Sequence, residues 1–238
     1  MAGLSRYTIS AACLLLSALP ASAQSRDYWS GLYGGMDVGA AWDKMSWDWN
    51  VPGNAALGNG ALDQYSSAWS DRNLVGGLHL GYQQKFGMVL AGVELAYLSH
   101  NASRTSAVAD ALDTRNLIAH VGNIYSIAMR LGVVQDRWLA YGKGGYALTD
   151  MSFASQRASD GATESATSHR SSGYVLGGGL EYALSQSVSF GTEYNYLKFS
   201  GKGSGSTDVS NQGTVLPFTH SGDVTVQTWT MRLNYRLN

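Results

Sequence analysis

The sequence predicts an all-β fold: an eight-stranded antiparallel up-and-down barrel that crosses a membrane and has a polar, side-chain-filled lumen. Three observations predict it. Apolar residues alternate with period two in eight separate runs, the spacing of strands with two chemically different faces. The apolar face carries no charge in any run, while the opposite face collects acids, bases and glycines. The connections between runs are short and long in turn, as in barrels with short periplasmic turns and long extracellular loops. Composition agrees, with 29 glycines, 14 tyrosines, 7 tryptophans, 3 prolines and only 14% charged residues in 238.

Residues 1–23 read as a secretory signal. Arg6 is followed by an apolar stretch too short to span a membrane, then Ala21-Ser22-Ala23 as an A-x-A cleavage site. Residues 24–238 are then the barrel domain. Leu32, Gly34, Met36, Val38, Ala40 and Trp42 form the apolar face of the first run; the second carries Leu74 to Tyr82 and the third Val89 to Tyr97. The fourth spans Tyr125–Val133, the fifth Trp138–Leu148 and the sixth Tyr174–Leu184. Val188–Tyr196 and Trp229–Leu237 complete the set. Short turns fall near 84–87, 135–137 and 185–187, and long polar loops near 43–71, 101–115, 150–172 and 200–222. Pro52 and Pro217 fall in those loops, where no ladder hydrogen bond is lost.

The polar face decides which side is the lumen. A soluble barrel with an apolar interior is the alternative, but the polar face is rich in glycines, which leave room for crowded side chains in a narrow interior. Polar inside and apolar outside is the arrangement lipid requires. Under that assignment, Tyr82, Trp138, Tyr182 and Tyr235 mark the periplasmic edge. Trp42, Tyr97, Tyr125, Tyr146, Tyr174, Tyr196 and Trp229 mark the outer edge. Lys+Arg (16) nearly cancels Asp+Glu (17), so no basic surplus points to nucleic acid. Cys13, the single cysteine, lies in the signal, which excludes a disulfide framework and a cysteine zinc site.

The stretches 130–148 (RLGVVQDRWLAYGKGGYAL) and 178–196 (GGLEYALSQSVSFGTEYNY), with Asn234-Tyr235-Arg236-Leu237, resemble the outer-membrane immunogenic-protein group. These are small porin-family barrels of Gram-negative bacteria, akin to the OmpA-type transmembrane domain. The resemblance implies a surface antigen with a role in envelope integrity. It also implies an Arg/Lys/Glu network in the lumen, haemin binding in some relatives, and recognition of the last strand by the barrel-assembly machinery. Such chains usually end in phenylalanine, whereas this one ends Leu237-Asn238.

Candidate functional residues follow from the lumen face. Asp37, Glu94, Glu181 and Glu193 can oppose Arg130, Lys143, Arg232 and Arg236, because buried ions are tolerated when paired. An eight-stranded interior is filled by side chains, so an open pore is not expected, and a narrow gated conductance is the alternative. His100 and His120 face inward near the outer mouth on the strand parity, a rim pair that could ligate haem iron or zinc. Without metal-ligand spacing the expectation is no cofactor. Trp47, Trp49, Tyr65 and Trp69 crowd the first long loop, where they are expected to fold down on the rim beside lipopolysaccharide, with a recognition surface for a host or environmental ligand as the alternative. Lys198 extends the lipid face at its outer end, where an ammonium can reach lipid or lipopolysaccharide phosphate. No nucleophile elbow, zinc-protease motif or phosphate loop occurs, so the chain is expected not to be an enzyme.

Overall fold

In the computed structural model, residues 27–50, 64–109, 114–159, 161, 163–208 and 215–237 are described. The signal-like residues 1–23 lie outside them. Nine strands follow in order: β1 (Gly31–Asn50), β2 (Gln64–Phe86), β3 (Val89–Ser99), β4 (Ala102–Ala109), β5 (Thr114–Gln135), β6 (Trp138–Arg157), β7 (Thr163–Ala183), β8 (Val188–Asp208) and β9 (Val215–Leu237). All pairings are antiparallel between chain neighbours, β1 pairs with β9, and β3 pairs with β5 to close eight strands into a barrel. The ninth strand, β4, continues β3 along β5 after an interruption at His100 and Asn101.

Register fixes the barrel's shape. Lys44 pairs in succession through Thr225, Lys198, Tyr174, Tyr146, Ile127, Leu95 and Leu80, and the row returns to β1 at Gly34. That is ten residues from Lys44 (44 minus 34). Ten residues of strand are roughly 33 Å against roughly 38 Å of circumference, which tilts the strands by about 40°. With that tilt, Tyr97, Tyr125, Tyr146, Tyr174, Tyr196 and Trp229 fall within about 5 Å of one height. Tyr82, Trp138, Tyr182 and Tyr235 lie about 18 Å below, so two aromatic girdles bound an apolar belt. The belt is lipid-facing: Leu78 is 60% exposed, Met129 69% and Val38 65%. Ring pairs knit the girdles, with Trp138 and Tyr182 at 4.8 Å and Tyr97 and Tyr125 at 5.3 Å between centroids.

The short turns fall at the three predicted places. Gly87 (φ 64°) and Asp136 (φ 51°) supply the left-handed residue that two of them need. The long connections carry more strand than the alternation indicates. Above the outer girdle the outward positions turn polar while inward residues such as Met45 and Phe199 are apolar and buried, so the apolar outward run ends although pairing continues. Trp47 and Trp49 therefore lie on β1, and Tyr65 and Trp69 on β2. Pro217 likewise lies on β9, opposite Ser206. The β1 pairing ends at Thr219, so Pro217 has only one strand neighbour, where proline is tolerated.

Pairing lapses at two seams. The β2–β3 ladder ends at Gly76 and Ser99, and the β7–β8 ladder at Gly173 and Phe199. Above them the barrel continues as two four-stranded ribbons, β2-β1-β9-β8 and β7-β6-β5-β4. The interruption between β3 and β4 is matched on β5 by a bulge between Val121 and Ile124. The Asn123 side chain in that bulge accepts the backbone N–H of His100 at 3.1 Å, so break and bulge form one feature.

Candidate functional site

The lumen is layered. At mid-membrane height, Glu94 is the hub: it accepts from Tyr33 (2.9 Å), Lys143 (3.0 Å), Arg232 (3.0 Å) and Arg130 (3.3 Å). Glu193 accepts from Lys143 (2.7 Å), Tyr141 (2.6 Å), Asn195 (2.9 Å) and Arg232. Glu181 accepts from Arg130 (2.6 Å), Asn234 (2.9 Å) and Ser189 (3.3 Å). Every member of this network except half-buried Asn195 is buried. The pairing is therefore intact but carries its desolvation cost, and its removal one partner at a time is expensive.

Asp37 is held differently. Its carboxylate faces Nδ1 of His79 at 2.6 Å and Arg232 Nε at 3.4 Å. The other nitrogen of His79, Nε2, lies 2.5 Å from Asn234 Oδ1. The amide of Asn234 is already committed to Glu181 and Ser189, which fixes its oxygen toward the ring. Both ring nitrogens of His79 thus have oxygen partners. Asp37 meets His79 and Arg232, while Glu94, Glu181 and Glu193 meet Arg130, Lys143 and Arg232. Arg236 is not part of this set. It sits at the periplasmic end, donating to the carbonyls of Gln186 (3.1 Å) and Asp27 (3.4 Å) and lying over the Trp29 ring. It lies four residues beyond Arg232 on β9, about 10 Å nearer the periplasmic end.

Two tyrosines that the alternation does not single out complete the layer. Tyr33 and Tyr141 stand opposite Gly81 and Gly179 across their ladders, and a Cβ on either glycine would come under 3.0 Å from the facing phenol ring. These glycines seat rings, a more specific task than leaving room for charges.

The layer has a floor and a ceiling. Below it, Trp29 is fully buried with Leu90, Val134, Leu139 and Ala183, its indole N–H donating to the Asp136 carbonyl at 3.2 Å. Gln83 donates to the carbonyl of Trp29 at 2.8 Å, and the Asp27 carboxylate accepts the N–H groups of Trp29 and Ser30. The sequence signal was Tyr28-Trp29 just before the first strand. Above the layer, Ala41, Met45, Val75, Val121, Met151 and Phe199 belong to an apolar cluster at the outer mouth. Alternation alone predicts a lumen polar to its rim, yet the inward positions turn apolar there. Between ceiling and network lies a cavity of about 40 Å³, lined by Asp37, Lys143, Asn195, Thr228 and apolar Val175 and Leu197. That is room for one or two waters.

The rim histidines do not come together. His100 is buried, its Nε2 2.9 Å from Asp43 and its Nδ1 3.3 Å from the Val121 carbonyl, so both nitrogens have partners. The β5 bulge inserts one residue between Ile124 and Val121, which reverses the faces beyond it. Ala119 and Val121 point inward, so His120 between them faces outward. The parity expectation for His120 is corrected for that reason. Among the described residues no group of three metal-ligating side chains occurs.

Residues 11–236 match the family described as outer membrane protein beta-barrel domain. No curated protein matches the chain. Among solved structures, the outer membrane protein OprG of Pseudomonas aeruginosa is similar at 17% identity, covering 90% of this chain and 100% of that one, with a TM-score of 0.59. The outer membrane protease OmpT of Escherichia coli covers the same shares at 11% identity and 0.50. Ail, the attachment invasion locus protein of Yersinia pestis, covers 88% and 100% at 16% identity and 0.42. At these identities the likeness is one of fold.

Proposed function

This chain belongs to the outer membrane protein β-barrel domain family, and from that premise we propose that it is a non-enzymatic structural protein of the Gram-negative envelope and a surface antigen. Its barrel is plugged and its two outer ribbons are displayed. The observation that carries this reading is the threefold filling of the lumen: Trp29 below, the Glu94 network at mid-height and the apolar cluster above. A barrel whose lumen is filled at these three levels suits a load-bearing envelope component rather than a transporter. Glu94, Glu181 and Glu193 are each held by two or more donors inside the network, which supports a structural use of these carboxylates over acid–base work on a substrate.

The test is planar-bilayer recording of the refolded protein beside the detergent sensitivity of a deletion strain. No steady conductance and a sensitised strain are expected. Steady single-channel steps would replace this reading with the narrow channel.

A second reading, a surface receptor for a host or environmental ligand, is favoured by one observation. The long connections are strand-built ribbons, a stiffer platform for display than loops. Haemin is the weaker ligand within it, because both ring nitrogens of His100 are engaged. Pull-down of host proteins by cells carrying or lacking the protein separates the two readings.

A further inference from the structure

Outside the barrel, just above the outer girdle, the ribbon β2-β1-β9-β8 carries a one-sided cluster of cations. Lys44 lies in one row with Ser70, Thr225 and Lys198, on four neighbouring strands. Its neighbours along the strand, Asp43 and Met45, are buried, so Lys44 points outward; Lys198, between buried Leu197 and Phe199, does the same. One row below, exposed Arg72 pairs with Trp42 and lays its guanidinium over the indole, 5.5 Å from the ring centroid. Among the described residues, one carboxylate stands among these three cations: Asp223, 3.4 Å from Lys198 and holding the Ser200 hydroxyl at 2.8 Å. On the opposite ribbon, the exposed Asp150–Arg170 pair cancels itself.

The ground between the cations is low. Ser46, Ser70 and Thr225, with Lys44, Lys198 and Asp223, line an open groove of about 540 Å³. Lys44 and Lys198 are two strands apart, about 10 Å, so both ammonium groups can close on one anion seated over Thr225. The strand tilt places the three cations about 4–12 Å above the aromatic girdle, the depth of a lipid headgroup. Directly below, Trp42, Gln227 and Trp229 on the outward face give way to Ala40, Val38, Met231 and Leu233, with Val38 and Met231 well exposed. Cations above and a largely apolar face below match an amphiphile, not a soluble polyanion.

We propose that this groove is a seat for one phosphorylated glycolipid of the outer leaflet. Lys44, Lys198 and Arg72 hold its headgroup phosphate, and its acyl chains lie on the belt beneath. The inference rests on the outer-membrane reading and adds to it a defined lipid site.

The test is native mass spectrometry of the full barrel in mixed micelles with diphosphorylated lipid A. One lipid should be retained, and retention should fall at least tenfold in the triple variant Lys44→Gln/Arg72→Gln/Lys198→Gln but not in Arg170→Gln. Lipid A stripped of its phosphates, offered to the unaltered protein, should also lose at least tenfold, an arm that needs no variant. Equal retention of the dephosphorylated lipid, or equal binding by the triple variant, would overturn the proposal. So would equally tight binding of a phosphorylated disaccharide without acyl chains, or of a sulfated polysaccharide. Heat-modifiable gel migration, read on the same samples, reports the barrel separately, so a failed site and a failed barrel give different results.

Discussion

The guanidinium of Arg130 lies 3.8 Å from the centroid of the Tyr141 ring, whose hydroxyl donates to Glu193 while Arg130 itself reaches Glu181. One planar cation thus joins the two halves of the ion network through an aromatic face. Arg130→Ala should cost about 3–5 kcal/mol in reversible urea unfolding, since Glu94 and Glu181 stay desolvated between floor and ceiling. Arg130→Lys keeps the charge but loses the stacking and the forked donors, and should fall between the two. A lysine variant as stable as the parent would show that charge alone holds this position.

Depth in the lipid should govern the cost of an outward charge. Leu78→Arg at the middle of the belt should destabilise by about 2–4 kcal/mol, and Tyr82→Arg at the lower girdle by about 0–1 kcal/mol. Equal losses for both would contradict the placement of the girdles.

The ring-seating glycines separate from the others by one added methyl. Gly81→Ala and Gly179→Ala press on Tyr33 and Tyr141, and each should cost about 1–3 kcal/mol. Gly142→Ala faces lipid with its nearest contact at 3.8 Å and should be close to neutral. The seating idea fails if the three substitutions have the same effect.

Trp29→Ala removes the floor. A loss of about 3–5 kcal/mol is expected from the emptied space. If floor and network together close the lumen, the variant still passes no steady current. A variant that conducts would show that Trp29 alone keeps the barrel shut.

At the outer mouth, stability should fall as pH rises. Burial disfavours the charged form of His100, but the hydrogen bond and charge of Asp43, helped by the carbonyls of Val121 and Gly122, outweigh it and raise His100 above its ordinary 6.5. A raised folded-state value means the contribution is complete below about pH 6.5 and is lost as pH climbs through that higher value. The stability gap between the parent and Asp43→Asn should therefore be widest in mild acid and narrow in alkali. A gap that does not change with pH would remove His100 from the account.

Much of this molecule was legible in its sequence. A strand's side chains alternate with a strict period of two, so the uncharged runs named both the lipid face and the lumen face. Glu94, Arg130, Lys143, Glu181, Glu193 and Arg232 could be placed inward without coordinates. The tertiary structure decided whatever depends on register and on chain segments far apart. His79, and not Arg236, meets Asp37 because the pairing of β1, β2 and β9 puts Asp37, His79 and Asn234 side by side. A single extra residue in β5 turns His120 outward, and periodicity cannot announce an insertion that reverses it. Trp29 closes the floor from outside any strand, where no alternation exists to read. Local pattern determines which way a side chain points, but its partner is settled only when tilt and closure bring distant strands to the same height.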